Sequence, residues 1–122
     1  MPILDVEIVR SPGDKADAGL AAALADAVGE VFDSPPGRTW IKLRYVAAEQ
    51  YAENGGGPPP GILPVFVTVL KAQWNDEDVA REVAALTEAI ADRCGRPAEN
   101  VHVLYAPPAA GRIAFGGRLV TR

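Results

Sequence analysis

Pro2, the second residue of "MPILDVEIV", has the most distinctive potential chemistry in this sequence. Initiator methionine is commonly removed when the residue after it is small, and loss of Met1 would turn the Pro2 amide into a free secondary amine. An α-amino group titrates near 7.7 to 8.0, and an apolar pocket or neighbouring cations lower that value towards neutrality. A neutral prolyl nitrogen can then take up a proton at physiological pH as a general base. The structural alternative is a strand-edge proline, a position that sheets tolerate. A second strand-like run, "LPVFVTVLK", carries Pro64 in the same leading place, 62 positions later (64 − 2). An ordinary tertiary amide leaves Pro64 without this chemistry.

Other nucleophiles and metal ligands are few. Cys94 is the single cysteine, so no intrachain disulfide can form and a cysteine-based zinc site is excluded. Placed at the end of an apolar-periodic stretch, it reads as a small core residue rather than a reactive thiol. With His102 the lone histidine, neither a metal site nor another cofactor is expected. A net charge of −4 with pI ≈ 4.9 offers no basic stripe for a nucleic acid.

Repeated periodicity supplies the elements that must position these residues. At 122 residues and 48% hydrophobic, the chain reads as a single domain with a substantial core. Residues 3 to 9 alternate as a strand, and "SPGD" turns the chain, offering Ser11 or Asp14 as a helix cap. From Ala16 to Phe32 the residues Leu20, Leu24, Ala27, Val28 and Val31 fall at helical spacing until "DSPPG" stops them. "TWIKLRYV" is the next strand. "ENGGGPPPG" then connects two halves, and the pattern restarts: strand "PVFVTVL", a helix capped by "NDED" with Val79, Val83, Leu86 and Ile90 inward, a stop at Gly95 and Pro97, and strand "VHVLYA". "AFGGRLV" forms an edge element or hairpin.

The expected fold is therefore α+β, two fused β-α-β units of residues 1–57 and 62–122 forming a four-stranded mixed sheet with two helices on one face. The uncovered face is apolar in its third strand, which predicts a homo-oligomer. The N-terminus lacks the layout of a signal peptide, and the longest apolar run, Ile62 to Leu70, is half the length of a membrane span. A cytoplasmic protein without membrane contact is the expectation.

In this order, "MPILDVEIV", "DSPPGRTWIKL", "LPVFVTVLK" and "NVHVLYAPPAAGRIAFGG" resemble the tautomerase superfamily over essentially the whole chain. The fused pair of units is similar to its long members, such as macrophage migration inhibitory factor and malonate semialdehyde decarboxylase. The resemblance implies a homotrimer in which an N-terminal proline, here Pro2, shuttles a proton between carbon and oxygen of a small anionic keto or enol acid. Cations there stabilise the developing enolate charge. The implied reaction is keto-enol isomerisation of a 2-oxo or 2-hydroxy-enoic acid; decarboxylation, hydration or dehalogenation of a three-carbon acid, or a non-catalytic trimer, are the alternatives.

The same resemblance, aligning Pro64 with the leading proline, makes Lys71 the first choice for a substrate-carboxylate ligand, although a solvated strand-end lysine fits that position equally. The turn arginine of 4-oxalocrotonate tautomerase falls on Trp74, which would supply an apolar wall or pack on the helix. A second substrate-polarising arginine falls on His102, placed with Leu104 on the open face, where it either meets a substrate oxygen or sits at the trimer interface. Lys42 and Arg44 should share that face with Asp5 and Glu7 as an ion-pair network, with substrate binding the lesser role for Arg44. The resemblance implies that hydratase, dehalogenase and decarboxylase members depend on an acid at the C-terminal hairpin or elsewhere in the site; Phe115, just before the paired glycines, favours tautomerisation in a pocket walled by Ile113 and Phe115. Arg112 either reaches an anionic substrate or is a solvated hairpin arginine.

Overall fold

The computed structural model describes residues 1–14, 17–59 and 63–121. The expected helix start at Ala16 and the start of the second unit at residue 62 lie outside the described residues.

Four strands make one mixed sheet in the order β2-β1-β3-β4, with β1 Ile3–Arg10, β2 Trp40–Ala47, β3 Val65–Leu70 and β4 Val101–Tyr105. β1 runs parallel to β2 and β3 parallel to β4, while the central pair β1 and β3 is antiparallel, with Ile3 opposite Leu70 and Ile8 opposite Val65. Two helices, α1 Leu20–Val31 and α2 Asp76–Cys94, make the crossovers. Leu20, Leu24 and Val28 of α1 and Leu86 and Ile90 of α2 close the core over Leu4, Val6, Ile8, Val65, Val67 and Val69. This is the expected α+β arrangement.

The helix starts follow different chemistry. At α2, Asn75 Oδ1 accepts from the Asp78 N–H at 2.9 Å, and Asp76, Glu77 and Asp78 fill the first turn, where carboxylates suit the dipole. Gly95 closes α2 at φ 65°, a left-handed conformation that favours glycine, with Arg96 N–H returning to Ala91 O at 3.0 Å. Neither Ser11 nor Asp14 caps α1. Its N-cap is Gly19, with no side-chain cap, and Asp14 Oδ2 instead accepts from the Ser11 N–H at 3.0 Å within the preceding turn. The sequence cue was a turn, and the turn uses its own carboxylate.

Two further departures concern which face a residue takes. On α2 the buried stripe is Glu82, Leu86, Ile90 and Ala91, whereas Val79 and Val83 are half-buried. The stripe therefore contains a carboxylate. In β1 the helix-facing residues are even-numbered (Leu4, Val6, Ile8) and in β3 odd-numbered (Val65, Val67, Val69). Because strand side chains alternate with period two, Pro2 and Pro64, an even number apart, are not equivalent positions of the two units. The spacing of the prolines conceals a one-residue slip. In the second strands, Ile41, Leu43 and Tyr45 pack against the core, as do Val103 and Tyr105.

After β4 the chain folds back over the end of β3, with Ala109 N–H bonded to Lys71 O at 2.9 Å and Ala110 N–H to Ala72 O at 3.1 Å. A hairpin of β5 Ala114–Phe115 and β6 Arg118–Leu119 follows. Its two-residue turn, Gly116 and Gly117 at φ 58° and 86°, needs positive φ at both positions.

Candidate active site at the start of the first strand

The end of the sheet where β1 begins collects most of the expected residues. Pro2 is buried, its carbonyl accepting the Trp40 N–H at 3.0 Å. Because Ile3 pairs with Leu70, the next positions outward on the two antiparallel strands are Pro2 and Lys71. Both line a cavity of about 490 Å3 whose other walls are Met1, Phe32, Asp33, Ser34, Pro35 and Arg38. Lys71 Nζ lies 5.0 Å from the centre of the Phe32 ring.

Lys71 is not a free cation. Its Nζ donates to both carboxylate oxygens of Glu82, at 2.9 and 3.1 Å, and the Tyr105 hydroxyl donates to Glu82 Oε1 at 2.6 Å. Glu82 is only 7% exposed, so its charge is offset by the ammonium and its lone pairs by three hydrogen bonds. Burial, and then the Glu82 carboxylate, push the Tyr105 hydroxyl far above the ordinary tyrosine range, so it stays a donor. Trp74 packs edge-on against Tyr105 with ring centres 6.0 Å apart, and its Nε1 donates to Ala106 O at 2.9 Å. Trp74 buttresses this cluster from outside the cavity lining.

Arg38 is the second cation of the cavity. Among the described residues no carboxylate lies within ion-pair distance of it, and its recorded side-chain contact is Nη1 to Met1 Sδ at 4.0 Å. Beside it, Trp40 meets Phe115 edge to face at 5.4 Å, which brings the hairpin to the same end of the sheet. Ile113 is half-buried at the hairpin base, its N–H on Ala109 O at 3.1 Å. Arg112 turns its Nη2 onto Pro107 O and Pro108 O, at 3.1 and 2.8 Å, within its own loop.

His102 and Arg44 lie elsewhere. Arg44, Glu7, Phe66 and His102 stand abreast across the four strands, five positions along β1 from Pro2, or roughly 16 Å at the strand rise. His102 is exposed on the open face with its ring 5.5 Å from that of Phe66. Arg44 reaches Glu7 at 3.9 Å and Asp5 at 3.8 Å, and Lys42 reaches Asp5 at 3.2 Å, which is the expected ion-pair network. Within one chain neither His102 nor Arg44 joins the Pro2 cavity.

Sequence reading missed Glu82, Tyr105 as its donor, and Arg38. Glu82 had a signal: it stands four residues before Leu86 and eight before Ile90, on the buried stripe. Arg38 had none, because its place beside Pro2 depends on the path of the loop after α1. Among the described residues no group of three or more His, Cys, Asp or Glu gathers as a metal cage, and no helix is long and apolar enough to cross a membrane.

No protein-family model matches the chain, and no curated protein matches it in sequence. Solved structures do. A wild-type fused 4-OT, a symmetric trimer, superposes with a TM-score of 0.74 at 22% identity, covering 97% of this chain and 94% of that one. The chain has the tautomerase fold. Two other structures with the tautomerase fold extend the range. FG41 malonate semialdehyde decarboxylase inhibited by 3-bromopropiolate gives 0.67 at 20% identity over 93% and 88% of the two chains. The macrophage migration inhibitory factor of Trichinella spiralis gives 0.70 at 12% identity over 96% and 98%.

Proposed function

We propose that the protein is a tautomerase superfamily isomerase that interconverts keto and enol forms of a small 2-oxo or 2-hydroxy-enoic acid, with Pro2, freed by loss of Met1, as the general base. The observation that carries this reading is the position of Pro2: buried at the start of β1, abreast of Lys71, in a cavity also lined by Arg38.

In this reading the neutral prolyl nitrogen takes the enol hydroxyl proton and returns a proton to carbon, so the amine is regenerated in each cycle. Negative charge gathers on the enolate oxygen, and a fixed cation stabilises it. Glu82 and Tyr105 hold the Lys71 ammonium in place beside Pro2. Arg38, without a carboxylate partner, is the better ligand for the substrate carboxylate, a role that sequence reading gave to Lys71. Phe32 is the apolar wall of the cavity beside Lys71, and the Trp40 and Phe115 pair stands at the same end of the sheet outside its lining, as does Ile113. Trp74 contributes by supporting Tyr105, and Arg112 by fixing its loop. His102 and Arg44 can meet a Pro2 cavity only from another copy of the chain, as in a homotrimer assembled through the open face.

The first test is the intact mass of untagged protein purified from cells. A mass lower by one methionine leaves a free Pro2 amine and supports the reading; full mass leaves Pro2 acylated and favours a non-catalytic trimer. One observation favours a second reaction: the exposed Asp33 lines the Pro2 cavity, where a carboxylate can orient water. Faster turnover of a 3-haloacrylate than of an enol acid, lost in Asp33→Asn, would replace isomerisation by that water-dependent chemistry.

A further inference from the structure

The antiparallel central pair makes the two halves approximate copies about an axis between β1 and β3, so the Pro2 cavity has a counterpart at the opposite end of the sheet. Register identifies the equivalents. Lys71 follows the end of β3 abreast of Pro2, and Arg10 ends β1 abreast of Leu63. Ile8 pairs with Tyr45 as Val69 pairs with Tyr105. Leu20, Leu24 and Val28 are buried on α1 at the spacing of Glu82, Leu86 and Ile90 on α2. The cluster Lys71, Glu82 and Tyr105 thus corresponds to Arg10, Leu20 and Tyr45.

That second trio lines a cavity of about 330 Å3, completed by Ile8, Asp14, Asp17, Arg93, Cys94 and Arg96. It lies roughly 26 Å from the Pro2 cavity along β1 at the strand rise. The substitution at the helix position decides its character. Where Glu82 neutralises Lys71, Leu20 offers Arg10 no charge. The Arg10 guanidinium instead lies 4.1 Å from the centre of the Tyr45 ring. Among the described residues, neither Arg10 nor Arg93 has a carboxylate within ion-pair distance. Arg96 spends Nη1 on Leu63 O at 2.6 Å and Nη2 on Val9 O at 2.9 Å, bridging the start of β3 to the end of β1 while keeping its charge in the cavity wall. Of the two acids, Asp14 accepts from the Ser11 N–H and Asp17 from the Gly19 N–H, at 3.0 and 2.9 Å.

We infer that this far cavity is a second, non-catalytic binding site for a small organic carboxylate with an apolar body. The carboxylate is bound by Arg10 and Arg93, and the body rests on Ile8, Leu20 and Tyr45. Among the described residues the cavity is lined by three guanidinium groups and no chain-terminal amine, because the strand entering it begins in mid-chain at Leu63 and Pro64. It can therefore hold such an acid without the prolyl base proposed for the other cavity. Asp14 and Asp17 at the same cavity repel ions of high charge density, which selects a monoanion over inorganic phosphate. The inference stands whether or not Pro2 is a base.

Cys94 lines this cavity and is remote from Pro2, so it reports occupancy locally. Its reaction with iodoacetamide is followed in the full-length protein with benzoate as the probe, and with benzamide and inorganic phosphate as comparators. Benzoate should slow alkylation saturably, in Pro2→Ala as in the wild type. Arg10→Ala, checked for native circular dichroism, should need on the order of tenfold more benzoate, the loss expected for one charge-assisted hydrogen bond. Leu20→Glu, which rebuilds the ion pair of the other cavity, should abolish protection. Equal protection by benzamide, stronger protection by phosphate, unchanged protection in folded Arg10→Ala, or no saturable protection of the wild type would each overturn the inference.

Discussion

Lys71 and Glu82 form a bidentate ion pair, with Nζ 2.9 and 3.1 Å from the two carboxylate oxygens, on the wall of the cavity that contains Pro2. Removing one partner strands the other's charge in a poorly solvated place. Glu82→Ala should therefore destabilise the fold by about 3 to 5 kcal/mol, and Glu82→Gln, which keeps the shape and an acceptor, by about 1 to 3 kcal/mol. Urea unfolding measures both, and a negligible loss in Glu82→Gln beside a large one in Glu82→Ala would mean that packing rather than charge dominates.

Tyr105 adds a pH dependence. Its folded hydroxyl is held above the ordinary tyrosine range, first by burial and then by Glu82. A raised folded pKa favours the protonated form in the folded state, so this contribution is complete below about pH 10 and declines as pH rises beyond it. Tyr105→Phe should cost about 1 to 3 kcal/mol at pH 7, with the gap from wild type narrowing at alkaline pH. A constant gap from pH 7 to 11 would contradict this assignment.

Burial pushes the Cys94 thiol up to about 11. Its alkylation should consequently be slow at pH 8 and keep accelerating past about pH 10, where a free cysteine, half ionised near 8.5, has levelled off. A rate that plateaus by about pH 10 would place the thiol in water.

Arg38→Ala separates binding from proton transfer at the proposed site. If the guanidinium receives the substrate carboxylate in ground and transition states alike, KM should rise by on the order of tenfold or more with kcat little changed. Lys71→Met should lower kcat instead. The reverse pattern would return the carboxylate to Lys71.

The open face carries Leu104, 66% exposed, beside His102 and Phe66. In the proposed homotrimer this exposed leucine is covered by a neighbouring copy. Leu104→Glu should lower the mass measured by analytical ultracentrifugation, and an unchanged mass would show that assembly uses another surface.

Most of the fold was legible because its signals are local and repeated. Leu20, Leu24, Ala27 and Val28 recur at helical spacing, Asn75 and Gly95 mark helix ends, and the alternation of "WIKLRYV" sets the faces that pair Lys42 and Arg44 with Asp5 and Glu7. The start of α1 was less legible, since Asp14 competes for its own turn. The two prolines misled about register because proline marks where a strand begins and not which face it takes. Pro2 stood out because it follows Met1, and Lys71 through the tautomerase resemblance; both line one cavity. Arg38 meets Met1, and Glu82 meets Lys71 across eleven residues, through tertiary contacts that no short window contains.

The most direct test of Pro2 as the base compares wild-type protein, shown by mass to lack Met1, with Pro2→Ala in the ketonisation of a 2-hydroxy-enoic acid at pH 7. The account predicts saturable turnover by the wild type and a loss of about 100-fold or more in kcat/KM for Pro2→Ala, within the range typical of a positioned general base. Equal rates for the two proteins, or no turnover by Met1-free wild type, would contradict it.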